Sequence, residues 1–199
     1  MDAAIKMLPP TGQDRAMAIP TPGGYLVALA DGAGGTGNGA IAADHLMAYV
    51  TKLVPDAATA DWFEVLCEFD HELSTRRTGG ETTGVVAFVD GVRVRGACVG
   101  DSAAWLIPAS GEIVDMTAHQ RRRPLLGSGE ALPVEFEAER GGRRVLLASD
   151  GLLKYAETDR IRAVAAYGTA IEAASRLIEL VRLPAGGFLD DVAVVIISG

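Results

Sequence analysis

Tyr25-Leu26-Val27-Ala28-Leu29-Ala30-Asp31-Gly32 is an apolar run of strand length that ends on an aspartate and a glycine. A strand end holds a carboxylate at a fixed place on a rigid element. The glycine beside it lets a backbone carbonyl, a water or a phosphate come close. The same arrangement recurs at Val99-Gly100-Asp101-Ser102 and at Val145-Leu146-Leu147-Ala148-Ser149-Asp150-Gly151. It recurs in reverse at Asp190-Asp191-Val192-Ala193-Val194-Val195, where the acids open the run. Carboxylates brought together in this way cannot all remain ionised without a cation. Their oxygens suit a hard divalent metal, and hence metal-assisted chemistry on a phosphate.

Working outward, Asp31 to Gly39 is too rich in glycine to be anything but loop, and Ala40 to Val54 then carries Ile41, Leu46, Tyr49, Val50 and Leu53 at helical spacing, with Pro55 as a stop. A second helix is predicted from Asp61 to about Thr75, with Asp61 as N-cap and Trp62, Phe69 and Leu73 on its core stripe. The period then changes. Thr82 to Val89 and Val92 to Val99 read as a hairpin about Asp90-Gly91, where the acid is a turn residue. Ala103 to Ile107 is expected to pair with Glu112 to Met116, and Leu132 to Ala138 with Arg143 to Ser149 across Gly141-Gly142. Helices near Asp159 to Ala166 and from Thr169 to Arg182 precede a last strand at Val192 to Ile197, while residues 1 to 15 read as a leading loop or short edge strand. Two blocks of helices around a run of antiparallel strands predict an α+β fold, two sheets packed together with helices outside.

The chain has 199 residues, 49% of them hydrophobic, which suits one domain with one substantial core. With 18 basic and 26 acidic residues the net charge is −8, which argues against nucleic acid and anionic membrane as partners. Cys67 and Cys98 lack metal or disulfide spacing and read as small buried hydrophobes in a reducing compartment. No leader pattern or membrane-length apolar run is present, so a cytoplasmic protein is expected. The loop at 32–39 lacks the Lys-Ser/Thr ending of a phosphate-binding P-loop. His45, His71 and His119 are scattered, and the arginines at 121–123 and at 140, 143 and 144 read as solvated faces, with a cleft rim as the alternative.

The ordered set Gln13-Asp14, Asp31-Gly32-Ala33-Gly34-Gly35, Thr82-Thr83, Gly100-Asp101-Ser102, Ser149-Asp150-Gly151 and Asp190-Asp191 resembles the PPM family of metal-dependent serine/threonine protein phosphatases, over nearly the whole chain. The resemblance implies an αββα sandwich of two mainly antiparallel sheets flanked by helices. It implies that Asp31 bridges two Mn²⁺ or Mg²⁺ ions, that Gly32 offers a backbone carbonyl to one, and that Asp150 and Asp190 complete the shell of the other. Asp14 would hold metal-bound waters near the cleft mouth, and Asp101 would serve a third, weaker ion together with Asp150. Asp191 reads as a neighbour supporting these ligands. A water or hydroxide between two such ions is a nucleophile near neutral pH, so no protein nucleophile is needed. That fits a chain whose candidate residues are acids and glycines.

Three departures stand out. The arginine that many members carry just before the N-terminal acid is absent from Met7-Leu8-Pro9-Pro10-Thr11-Gly12, leaving Lys6 or Arg15 as substitutes. Ala33 stands where animal members have a histidine. Met116-Thr117-Ala118-His119 and Pro124-Leu125-Leu126-Gly127 resemble family segments that lie close together here, leaving little room for a flap. The expected function is hydrolysis of phosphoserine or phosphothreonine in proteins, with a phosphoprotein substrate and a targeting partner. The rivals are a pseudophosphatase binding module and a metal-dependent phosphohydrolase of small phosphoesters.

Overall fold

A computed structural model describes residues 1–76 and 79–199. Among the described residues, ten strands form two five-stranded sheets in which every neighbouring pair runs antiparallel. The first sheet contains β1 (Asp2–Leu8), β6 (Ala103–Ile107), β7 (Val114–Asp115), β9 (Arg144–Ala148) and β10 (Val192–Ser198), in the order β1-β10-β9-β6-β7. The second contains β2 (Arg15–Thr21), β3 (Gly24–Ala30), β4 (Gly84–Asp90), β5 (Arg93–Val99) and β8 (Val134–Glu139), in chain order. Helices α1 (Gly39–Thr51) and α2 (Trp62–Ser74) cover the second sheet, and α3 (Asp150–Leu153), α4 (Thr158–Ala165) and α5 (Ala170–Glu179) cover the first.

The four layers follow from period-two alternation in strands with no polar face. Leu26, Ala28 and Ala30 of β3 enter the core under α1 and α2, while Val27 and Leu29 enter the layer between the sheets. On β10, Val192, Val194 and Ile196 face the core under α3 to α5, and Ala193, Val195 and Ile197 face the other sheet. Burying each such Val, Leu or Ile side chain is worth about 1.5–3 kcal/mol, so the central strands hold the sandwich together. The predicted helix starts hold. The Asp61 carboxylate accepts the Glu64 N–H at 3.0 Å, and Thr169 and Glu172 form a reciprocal capping box that opens α5.

The structure corrects several expectations. The strands around Gly141-Gly142 do not pair with each other. β8 pairs with β5 in one sheet, and β9 lies between β6 and β10 in the other, so the two glycines carry a crossover between layers. β2 is a strand beyond those expected from the sequence. Its Pro20 is tolerated because β2 is an edge strand with one partner, β3. β1 is a full seven-residue edge strand. Asp150 does not end a strand; it is the first residue of α3. Cys98 is buried as expected, whereas Cys67 is only partly so. Between β7 and β8, residues 116–133 carry no helix and only an isolated bridge from Leu126 to Thr82. Among the described residues no helix is long and apolar enough to cross a membrane.

Candidate active site

Asp31 follows β3 directly, and its backbone is held on both sides. Its N–H donates to Thr83 Oγ1 at 2.9 Å, and its carbonyl accepts the Thr83 N–H at 2.9 Å and the Thr82 hydroxyl at 3.0 Å. Thr83 Oγ1 shares a further hydrogen bond of 2.8 Å with the buried Ser102 Oγ, which ties the residue after Asp101 into the same network. The paired threonines therefore position Asp31. Gly32 and Gly39 cross at close range: a Cβ on either would lie 2.5 Å from the other's carbonyl carbon. Only glycine at both places lets the loop close onto the start of α1.

Asp150 and Asp190 are brought together by a second set of bonds. The Ser149 N–H donates to the Ala193 carbonyl at 3.0 Å, and Ser149 Oγ accepts the Ala193 N–H at 2.9 Å. Gly151 lies so close to the Asp191 backbone that a Cβ there would sit 1.9 Å from its carbonyl oxygen. The end of β9 is thereby locked to the start of β10. Asp191 accepts the Gln13 N–H at 2.5 Å, and Gly12 packs on its carboxyl group, so it clamps the N-terminal turn.

These elements open a cleft of about 240 Å³ whose walls include Asp31, Gly32, Asp101, Asp150 and Asp190, with Arg122 and Arg123 on the rim. Burial, reinforced by Asp14, Asp150, Asp101 and Asp190, pushes the Asp31 carboxyl up to about 9. Asp14 is pushed up to about 7, again chiefly by burial, with Asp191 and Asp150 adding to it. One ammonium answers this acidity. Lys154 Nζ pairs with Asp150 Oδ2 and lies 3.8 Å from Asp190 Oδ2.

Asp14 lies deeper than expected. It is 5% exposed and absent from the cleft wall, so it lies beneath the site and not at its mouth. Neither of its carboxylate oxygens makes a hydrogen bond of good geometry, although the side chains of Ser149 and Asp31 lie near enough to offset part of the effect of burial. Poorly partnered buried carboxylate oxygens beside an all-oxygen donor set fit hard divalent ions such as Mn²⁺ or Mg²⁺. Among the described residues no three acidic, histidine or cysteine side chains converge on a single ion position. Pairs of carboxylates, the Gly32 carbonyl and water would have to share the coordination, which is ordinary for a cation that keeps much of its hydration.

Neither substitute for the missing arginine stands in the cleft. Lys6 is exposed on β1, where its charge acts on Glu179 of α5. Arg15 pairs with Asp44 at 2.6 Å and donates to the Gly12 and Asp14 carbonyls, bracing the N-terminal turn. The cations at the cleft come from the arginine run instead. Arg122 Nε donates to Asp101 Oδ2 at 2.7 Å, and Arg123 lies 3.4 Å from Glu81; both side chains are about 70% exposed (71% and 70%). Asp101 is thus already partnered at Oδ2, and an ion taking that oxygen would have to displace Arg122. Lys154 went unnoticed in the sequence; its i,i+4 spacing from Asp150 is a usable signal once α3 is recognised as helix.

No protein-family model matches the chain, and no curated protein matches it in sequence. Solved structures do. The serine/threonine phosphatase Stp1 of Staphylococcus aureus is 19% identical, with a TM-score of 0.81 over 100% of this chain and 94% of that one. The Mycobacterium tuberculosis serine/threonine phosphatase PstP/Ppp is 25% identical, with a TM-score of 0.77 over 98% and 97%. The catalytic domain of PstP in complex with two manganese ions is also 25% identical, with a TM-score of 0.76 over 98% and 96%. Along its full length this chain has the fold of the bacterial PPM-type serine/threonine phosphatases.

Proposed function

We propose that the chain is a metal-dependent phosphatase acting on phosphoserine or phosphothreonine in proteins. The observation that carries the reading is a half-buried aspartate, Asp31, that lines one cleft with Asp101, Asp150 and Asp190, close to the buried Asp14 and with two arginines on the cleft rim. Such a set is unfavourable unless cations compensate it. The two manganese ions of the PstP neighbour support Mn²⁺ as the cation. When bound, two such ions would supply an activated water and neutralise charge on the phosphoryl group.

The remaining roles belong to side chains of the chain. Asp31, with the Gly32 carbonyl, would hold one ion, and Asp150 with Asp190 would hold the other, water completing each shell. The threonine pair fixes Asp31 before any ligand arrives, so little reorganisation is needed. Asp14, buried beside Asp31 and Asp150, would add negative charge close to the ions. Asp101 would serve a third ion in competition with Arg122, which holds its Oδ2. Arg122 and Arg123 offer planar, permanently charged guanidinium groups to the substrate phosphate in place of the missing N-terminal arginine.

The test is phosphate release from a phosphothreonine peptide in Mn²⁺, in Mg²⁺ and in chelator, with Asp150→Asn alongside. Metal-dependent release that the variant loses supports the reading. Tight metal binding without release from any phosphopeptide refutes it and favours a binding module; release only from small phosphoesters refutes the protein-substrate part.

A further inference from the structure

Given the metal-centre reading above, on which this inference rests, we propose that Lys154 is the chain's own counter-cation for Asp150 and Asp190 and competes with a divalent ion for that carboxylate pair. Lys154 caps α3 one turn after Asp150, and its N–H donates to the Asp150 carbonyl at 2.8 Å, which returns the side chain along the helix to its start. The ammonium meets Asp150 Oδ2 directly and reaches within 3.8 Å of Asp190 Oδ2. Among the described residues no other cation pairs with either carboxylate.

The geometry sets the two occupants in competition for the Oδ2 oxygens. An ammonium pressed on Asp150 Oδ2 takes the lone pairs and the charge that an ion between Asp150 and Asp190 would use. A lysine is suited to giving way. It is a point charge on a flexible stem, its side chain is 39% exposed, and it can swing into water without leaving a buried charge behind. The device has two consequences. The acidic cluster is partly compensated before metal arrives, and the ion at Asp150 and Asp190 binds more weakly than its ligands alone would allow.

The experiment is Mn²⁺ titration of the full chain by calorimetry and by the electron paramagnetic resonance signal of free Mn²⁺. It compares wild type, Lys154→Gln and Lys154→Arg, with thermal melts in chelator and in Mn²⁺. The neutral variant should bind its weaker ion about tenfold more tightly, the effect of deleting one adjacent like charge. It should melt below wild type in chelator and gain more from Mn²⁺. The arginine variant keeps the charge and should retain weak binding, which separates charge from packing. Unchanged affinity in Lys154→Gln overturns the proposal. Weaker binding also overturns it and makes Lys154 a positioning residue for Asp150. If wild type binds no Mn²⁺, the metal-centre reading falls first and the competition falls with it.

Discussion

Replacing Asp31 by asparagine should stabilise the metal-free protein while destroying its metal site. The carboxyl is pushed up to about 9 by burial and by Asp14, Asp150, Asp101 and Asp190, from an ordinary value of 3.8. A group that must stay protonated in the folded chain but ionises in the unfolded one costs stability above its unfolded pKa. At 1.36 kcal/mol per pH unit, the cost at pH 7.5 is about 5 kcal/mol as an upper bound. Neighbouring carboxylates share the proton, so one substitution should recover about 2 kcal/mol, or about 4–8 °C in Tm for a chain of this size. The sign then fixes the pH dependence. The gain is large at pH 8, shrinks as pH falls, and vanishes near pH 4, where wild-type Asp31 is neutral in both states. Thermal unfolding in chelator across this range measures it, and the same melts in Mn²⁺ should reverse the order, because only wild type gains from the ion. An Asp31→Asn protein less stable than wild type at pH 8 in chelator would refute the reasoning.

Three further outcomes are expected. Gly151→Ala forces a Cβ onto the Asp191 carbonyl, at 1.9 Å in the present geometry; it should cost about 1–3 kcal/mol in urea unfolding and weaken Mn²⁺ binding by moving Asp150 away from Asp190. Asp70 accepts the N–H groups of Gly127, Gly129 and Ala131 at 2.6, 3.1 and 3.0 Å, so Asp70→Ala should lower stability by about 2–4 kcal/mol and loosen this segment in hydrogen exchange, without change in Mn²⁺ stoichiometry. Arg122→Ala together with Arg123→Ala should raise KM for a phosphopeptide by about tenfold or more with a smaller effect on kcat; a fall in kcat alone would remove them from phosphate binding.

Legibility in the sequence followed the range of the forces involved. The central strands, with Asp31 and Asp190 at their ends, could be read locally because apolar runs and adjacent acids carry their own signal. The caps at Asp61 and Thr169 were local as well. The pairing around Gly141-Gly142 was not legible, since two glycines between strands suit a hairpin turn equally well as a crossover. The burial patterns held the clue: β9 is almost wholly buried, as a central strand should be, whereas β8 alternates, as an edge strand does. Arg15 looked available for a phosphate because its partner Asp44 is distant in sequence. Asp70 gave no signal either, as its three donors lie 57 to 61 residues away. The rim arginines looked like a solvated run because only the fold places them opposite the carboxylates.

The central claim is that Asp31, Asp150 and Asp190 hold a pair of divalent ions. Anomalous diffraction from crystals grown with Mn²⁺ tests it most directly. Two peaks in the cleft, one beside Asp31 and the Gly32 carbonyl and one between Asp150 and Asp190, are the predicted result. Crystals in which Mn²⁺ binds elsewhere, or not at all, while the cleft stays intact would contradict it.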